Sequence, residues 1–94
     1  MTDPTTNEES ADALAHVMIE LTRAIHLHPD WPTDPFHALA ILGDEFGELT
    51  KEIVQLRFEP SKASTIDTVR AEAIQTAAMA VRMIIGISRY QFTP

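Results

Sequence analysis

The chain has 94 residues, the size of one small domain, and a formal net charge of −7. This acidic balance argues against direct nucleic-acid binding and against membrane-surface binding, because both need a basic face. The sequence has no cysteine, which excludes disulfides and thiolate metal sites. We see no apolar run of membrane-spanning length and no basic leader before an apolar stretch, so we expect a cytoplasmic protein.

Apolar residues recur at helical spacing in three segments, which predicts an all-α fold. The polar residues 1–7 are predicted to be a disordered tail, and residues 8–91 a single domain. The first helix is predicted at about 8–27, where Leu14, Met18, Leu21 and Ile25 follow one another at spacings of 4, 3 and 4. Thr6 and Glu9 have capping-box spacing near its start.

Residues 28–35 contain three prolines, which a helix cannot pass through. Asp34 followed by Pro35 is typical of an N-cap and a first helical residue, so the second helix is predicted to run from 35 to about 57. Its apolar residues repeat at spacings of 4, 3, 4 and 3, which is a bundle-type seam. The seam residues are Leu42, Phe46, Leu49, Ile53 and Leu56.

A break at 59–63 precedes a third helix, predicted at about 65–89, with Ser64 and Asp67 at its start. This helix has two apolar stripes on nearly opposite sides, and three helices can hardly cover both. We therefore expect an antiparallel three-helix bundle completed by a homodimer or homotetramer. One stripe holds Val69, Thr76, Ala80, Met83 and Ile87, and the other Ile74, Ala78, Val81 and Ile85.

Three acids of the second helix share one face, because Glu45, Glu48 and Glu52 are spaced i, i+3, i+7. Like charges so close together destabilise a helix slightly. The stripe lies roughly 80° around the helix from the apolar seam, at the edge of the core. Two interpretations stay open, a solvated acidic face and a divalent-cation site.

Glu72 lies in the middle of the nearly apolar third helix, with Gln75 one turn further on. Such an acid is costly unless it is paired or coordinating. Lys51 or Arg82 could neutralise it in an ion pair. Alternatively, antiparallel packing would bring it to Glu45 and Glu48, and hard oxygen ligands of this kind suit Mg²⁺ or Mn²⁺.

The pattern Glu45-x-x-Glu48 with Glu72-x-x-Gln75 resembles the ExxE…ExxD signature of the MazG-like all-α nucleoside triphosphate pyrophosphohydrolases. Residues 44–49, DEFGEL, are similar to the EExGEL segment of this family. Residues 31–41 and 72–82 resemble segments of its small bacterial and phage members, so that the resemblance covers about 14–88. It implies an oligomeric helical bundle that uses Mg²⁺ to hydrolyse (deoxy)nucleoside triphosphates to the monophosphate and pyrophosphate, as house-cleaning of the nucleotide pool.

Carried over by position, the resemblance implies metal ligands at Glu45, Glu48 and Glu72. Gln75 stands where the family pattern has Asp, and it offers a neutral oxygen instead of a charge. Glu52 lies one turn beyond Glu48 and is the candidate to compensate. The water that attacks the substrate would be oriented or deprotonated by Glu48 or Glu52.

Trp31, Phe36 and His37 flank the start of the second helix and either contact a nucleotide base or, for the two aromatic residues, cap the core. Lys51 and Arg82 are candidate phosphate contacts, although ordinary ion pairs would also explain them. The spacing of the histidines at 26, 28 and 37 with the aspartate at 30 matches no zinc site. The alternative to the enzyme is a non-catalytic helical oligomerisation module, or a nucleotide-binding protein with a degenerate site.

Overall fold

The protein folds into three long α-helices and one short 3₁₀ helix. The structure is a computed structural model that describes residues 4–93, with side chains from residue 6 onward. The α-helices are α1 (Pro4–Leu27), α2 (Pro35–Phe58) and α3 (Ile66–Gly86), and the 3₁₀ helix at Ile87–Arg89 follows α3 directly. There is no β-strand between residues 4 and 93, so the predicted all-α class is confirmed.

Helix α1 begins at Pro4, inside the stretch predicted as a tail, while residues 1–3 lie outside the described residues. Proline fits the first turn of a helix because the N–H it lacks would have no partner there. Thr6 and Glu9 are therefore inside α1 and do not form its cap.

Helix α2 starts as predicted. The side chain of Asp34 accepts a hydrogen bond from the Phe36 N–H at 3.0 Å, and Pro35 is the first helical residue. The helix ends at Phe58, one residue beyond the predicted end.

The predicted cap of α3 at Ser64 is wrong by one residue. Thr65 is the N-cap, and it exchanges hydrogen bonds with Thr68 in a capping box. Ser64 is buried, and its hydroxyl donates to Gln55 Oε1 at 2.8 Å, which leaves it unavailable as a cap.

Helix α3 is central, because α1 and α2 each pack against it. Its first turn meets the end of α2, where Thr68 donates to Glu52 at 2.8 Å, and its later turns share a cleft with Ile41. Helices α2 and α3 are therefore antiparallel, as predicted. Helix α1 runs parallel to α3, since Ala13 lies beside Ala73 and Ile25 lies beside Ile85.

The core within one chain is very small. Only four apolar residues between 6 and 93 are buried, and three of them are alanines: Leu21, Ala24, Ala38 and Ala78. The predicted seam of α2 is only partly covered, since Leu42 and Leu49 are half-buried but Phe46 is 61% exposed. Helix α2 is rolled so that its acidic side also faces α3, and this brings Glu45 and Glu52 to the helix interface.

Among the described residues, one helical stretch, Ile66–Arg89, is long and apolar enough to cross a membrane by length and composition. A single such helix is weak support for a membrane protein, because the central helix of a soluble bundle meets the same criterion. Helix α3 packs against two amphipathic helices and carries Glu72 and Arg82.

Candidate metal and phosphate site

Glutamates from all three helices converge beside α3. Burial raises the pKa of Glu45, and repulsion from Glu72, Glu48 and Glu20 raises it further. Glu20 comes from α1, Glu45 and Glu48 from α2, and Glu72 from α3. Glu72 and Glu48 both raise the pKa of Glu45, and Glu48 raises that of Glu72, so the three acids lie within electrostatic range of one another. Their role as metal ligands stays a prediction.

Glu72 is the least satisfied acid of this group. Its Oε2 is buried and has no hydrogen-bond partner in the described part of the chain. Burial raises the pKa of its carboxyl, with additional repulsion from Glu48 and Glu52. A buried carboxylate oxygen without a partner is unfavourable in an isolated chain, and a bound cation would relieve it.

The ion-pair explanation of Glu72 is wrong for the described residues. The ion pairs between residues 6 and 93 join Asp12 to His16, Glu20 to Arg23 and Asp67 to Arg70. Neither Lys51 nor Arg82 reaches Glu72, since Lys51 is exposed on α2 and Arg82 is turned toward the connector after α1.

Glu52 differs from the other acids because its carboxylate has partners. The nearby hydroxyls of Ser64 and Thr68 lower its pKa, and Thr68 donates a hydrogen bond to its Oε2 at 2.8 Å. The Ser64 proton itself is donated to Gln55 Oε1 at 2.8 Å. These contacts attach the end of α2 to the start of α3, so Glu52 has a structural role here.

A cleft of about 400 Å³ opens where the three helices meet the connector between α1 and α2. We call it the three-helix cleft. Its lining contains both acids and cations, and one acid and one cation of the set, Glu20 and Arg23, are paired with each other. The lining residues with relevant chemistry are Glu20, Arg23, His28, Asp30, Trp31, Glu45, Gln75 and Arg82.

Arg82 is a buried cation, with 6% of its surface exposed. Its guanidinium lies 4.7 Å from the ring centroid of Trp31 and donates from Nη2 to the carbonyl oxygen of His28 at 2.9 Å. Burial lowers its pKa. The charge has no carboxylate partner among residues 6–93, and one hydrogen bond uses only part of its five-donor capacity.

The aromatic and histidine candidates are dispersed. Trp31 is half-buried in the cleft wall, where it stacks on Arg82 and donates to the Tyr90 hydroxyl at 2.7 Å. Phe36 is 77% exposed, so it caps no core within the chain. His37 is exposed as well. The structure therefore places Trp31 in the cleft and leaves Phe36, His37 and Lys51 outside it.

Sequence reasoning missed Glu20 and Arg23. They form a bidentate pair on α1 with oxygen–nitrogen distances of 2.7 and 2.9 Å, and hydrogen bonding to Arg23 lowers the pKa of Glu20. A signal was available, because Glu20 lies four residues before Ala24 on the face of α1 that packs inward. The family resemblance concerned residues of α2 and α3, so it did not point to Glu20 or Arg23 on α1.

The donor set fits Mg²⁺ in its chemistry, because carboxylate and amide oxygens are the ligands this ion prefers. The unpartnered Glu72 oxygen is the main structural sign of a cation. No three acids or histidines between residues 4 and 93, however, are grouped closely enough to hold a metal ion in this arrangement. That includes the histidines and the aspartate considered for zinc.

Comparisons of this chain with protein-family models, with curated proteins and with solved structures found no match.

Proposed function

We propose that the chain is a cytoplasmic, Mg²⁺-dependent nucleoside triphosphate pyrophosphohydrolase, with Mn²⁺ as an alternative ion. The products would be a nucleoside monophosphate and pyrophosphate, from a ribo- or deoxyribonucleotide. The observation that carries the proposal is Glu72, whose buried Oε2 lacks a partner beside the acids Glu45 and Glu48. The resemblance to the MazG-like family supplies the reaction.

Glu45, Glu48 and Glu72 would hold the ion, with Gln75 as a neutral oxygen donor. The ion would offset the substrate's charge and polarise its α-phosphorus. Glu45 lines the three-helix cleft together with Gln75, and its pKa is raised by Glu72. Two of the four proposed ligands, Glu45 and Gln75, therefore adjoin the cleft, whereas Glu48 and Glu72 are not part of its lining.

Arg82 would bind the phosphate oxygens in the cleft, whereas Arg23 is already paired with Glu20. Arg82 is suited to this because it is buried and unpaired by a carboxylate among residues 6–93. Guanidinium groups match phosphate oxygens in geometry, and each additional hydrogen bond is strengthened by charge. Trp31 would hold the Arg82 side chain in place through their stacking.

Glu48 is the better candidate base of the two predicted. It is exposed, whereas the carboxylate of Glu52 accepts a hydrogen bond from Thr68. In the reaction, a water oxygen attacks the α-phosphorus, its proton passes to Glu48, and the bond to the pyrophosphate leaving group breaks.

The test is pyrophosphate release from a panel of ribo- and deoxyribonucleoside triphosphates with Mg²⁺. We expect turnover of at least one nucleotide, and a loss of at least about 100-fold in Glu48→Gln. Glu9→Gln is a matched control, because this glutamate is exposed on α1 and lies outside the cleft. Unchanged activity in Glu48→Gln would refute its assigned role.

The second candidate is a non-catalytic oligomerisation module or a nucleotide-binding protein with a degenerate site. It is favoured by the absence of a compact three-ligand group between residues 4 and 93. Calorimetry separates the possibilities. Mg²⁺–nucleotide binding without turnover indicates a degenerate site, and neither binding nor turnover indicates the oligomerisation module.

A further inference from the structure

Helix α2 carries a broad apolar face that its own chain leaves uncovered. Six large side chains, each at least 45% exposed, lie within about 140° of the helix circumference. We call this surface the open face of α2. Its members are Phe36, Leu39, Phe46, Ile53, Val54 and Phe58.

The open face has no acidic residue. At 100° per residue, the acids Asp44, Glu45, Glu48 and Glu52 all lie outside its arc, and Arg57 is its one charged residue. The chain carries a net charge of −7, so two copies repel each other wherever their acids meet. Two copies that meet through the open face do not bring the acids of α2 together, so the repulsion between copies is weak there.

Two glycines on this face have no packing explanation within residues 6–93. A Cβ added to Gly43 or Gly47 would meet no atom within 4 Å. Glycine in a helix interior is about 1 kcal/mol less favourable than alanine. Nothing in the described structure compensates for this cost, whereas the close approach of another helix backbone would.

The spacing on the open face is that of a helix-pairing seam. Leu39, Phe46 and Ile53 are exactly one heptad apart, and Leu42 and Leu49 occupy the intervening positions. Alternating spacings of three and four residues keep such a seam aligned with a partner helix over several turns. The leucines at 42 and 49 are half-buried and the other three are exposed, so the seam continues outward from the chain's own core.

We propose that the open face of α2 docks against the same face of a second copy, across a twofold axis near Gly43 and Gly47. The two glycines flank the midpoint of the helix, where antiparallel copies of α2 would cross with their backbones closest. An isologous pairing needs only one self-complementary surface, and this face is apolar, nearly uncharged and continuous. The sequence assigned the contact between copies to α3, and this inference moves it to α2.

The partner that buries the open face is a second copy of this chain, because the exposed apolar side chains need to be buried at all times. Four buried apolar residues between 6 and 93 form too small a core for a chain of this length, and a copy of the chain is always available. At roughly 100 Å² per side chain, the face offers about 600 Å² per copy, close to the ~800 Å² per partner in stable interfaces. The inference does not depend on the proposed enzymatic activity.

Cysteine cross-linking tests the proposal directly, because the natural chain has no cysteine. We expect Gly43→Cys or Gly47→Cys to give a covalent dimer on mild oxidation at low micromolar concentration. Glu48→Cys is the matched control, since Glu48 is exposed and lies about 150° around the helix from the centre of the open face. No dimer from either glycine position, or equal dimer from position 48, would overturn the proposal.

Sedimentation provides the second measurement. The unmodified chain should have at least twice the mass of one 10.5 kDa chain, and Phe46→Glu should shift it toward the monomer. His37→Glu introduces the same side chain at an exposed position about 130° around α2 from the centre of the open face, and it should leave the mass unchanged. A wild-type monomer at micromolar concentration, or an unchanged mass in a folded Phe46→Glu variant, would contradict the inference. If Phe46→Glu does not fold, cross-linking decides.

Discussion

The indole N–H of Trp31 donates a hydrogen bond to the hydroxyl oxygen of Tyr90 at 2.7 Å, joining residues 59 positions apart. The bond attaches the connector before α2 to the segment after α3. Both rings lie against Gly86, where an added Cβ would be 3.0 Å from the Tyr90 Cε1 and hydroxyl oxygen. The same Cβ would be 3.1 Å from Trp31 Cδ1. The absence of a side chain at Gly86 is what lets the two rings meet.

Gly86→Ala should therefore destabilise the fold. Overpacking of a filled site costs about 1–3 kcal/mol, and here the added methyl group must displace two hydrogen-bonded rings. The free energy of unfolding measured in urea should fall by this amount. Ser88→Ala is exposed two residues further on and should stay within about 0.5 kcal/mol of the wild type. Equal stability of Gly86→Ala and the wild type would contradict the packing described.

The pH dependence of the metal-free protein follows from the glutamates. The pKa values of Glu45 and Glu72 are raised, so the folded state binds protons more tightly there than the unfolded state. Their unfavourable contribution is greatest at neutral pH and is relieved as the pH falls through the folded-state values. The lowered pKa values of Glu20 and Glu52 act oppositely, and their stabilisation is lost only below the ordinary glutamate pKa of about 4.3.

These signs predict that the Tm of the metal-free protein rises as the pH falls from about 7 toward the ordinary glutamate pKa of about 4.3, and decreases again below it. Glu72→Gln should have a smaller rise, because it removes one of the two groups responsible. Thermal unfolding across this range in a chelating buffer is the measurement. An identical pH profile in the variant and the wild type would show that Glu72 does not contribute.

Much of the fold was predictable because local chemistry determined it. Pro29 follows the end of α1 at Leu27 by two residues, and Asp34 with Pro35 starts α2. The rotation of α2 was not predictable from its apolar pattern. The seam containing Phe46 was expected to face the core, but Glu45 and Glu52 share the interface with α3. An apolar seam that packs against two neighbours has the same residue spacing as a seam that packs into a single core.

The proximity of Glu45 and Glu48 to Glu72 was predictable because it depended on helix periodicity. The spacing of Glu45 and Glu48 placed them on related faces, and antiparallel packing brought them within electrostatic range of Glu72. Contacts between segments that are distant in the sequence were not predictable from the residue spacing within one helix. Arg82 was a candidate for an ion pair, yet it stacks on Trp31 and donates to a main-chain oxygen. Glu20 reaches Glu45 only because α1 lies beside α3, and no spacing within one helix reports that.

Two glutamates should respond in opposite directions to the same substitution. Glu72→Gln should raise the Tm of the metal-free protein at neutral pH, because it removes the charge of a half-buried carboxylate whose Oε2 has no partner among the described residues and which Glu48 and Glu52 repel. Glu52→Gln should lower the Tm, because the charged acceptor of the Thr68 hydrogen bond is lost.

The same two variants should differ in metal binding. In calorimetry, Glu72→Gln should weaken Mg²⁺ binding at least about tenfold, and Glu52→Gln should leave the Mg²⁺ affinity nearly unchanged. Comparable Mg²⁺ binding in Glu72→Gln and the wild type would remove Glu72 from the ligand set.

We expect a fourth negative charge near the proposed ion to be about equally effective at position 20, where Glu20 supplies it, and at position 75, where a glutamate would replace Gln75. Both line the three-helix cleft with Glu45, and Glu20 already raises the pKa of that residue. Gln75→Glu should strengthen Mg²⁺ binding on the order of tenfold, because affinity follows the number of charged ligands. It should also lower the Tm without metal, because it adds repulsion.

Glu20→Gln should weaken Mg²⁺ binding. Combining Glu20→Gln with Gln75→Glu should return the Mg²⁺ affinity toward the wild-type value. If Gln75→Glu left the calorimetric affinity unchanged, position 75 would lie outside the coordination sphere, and Glu45, Glu48 and Glu72 would have to hold the ion without it.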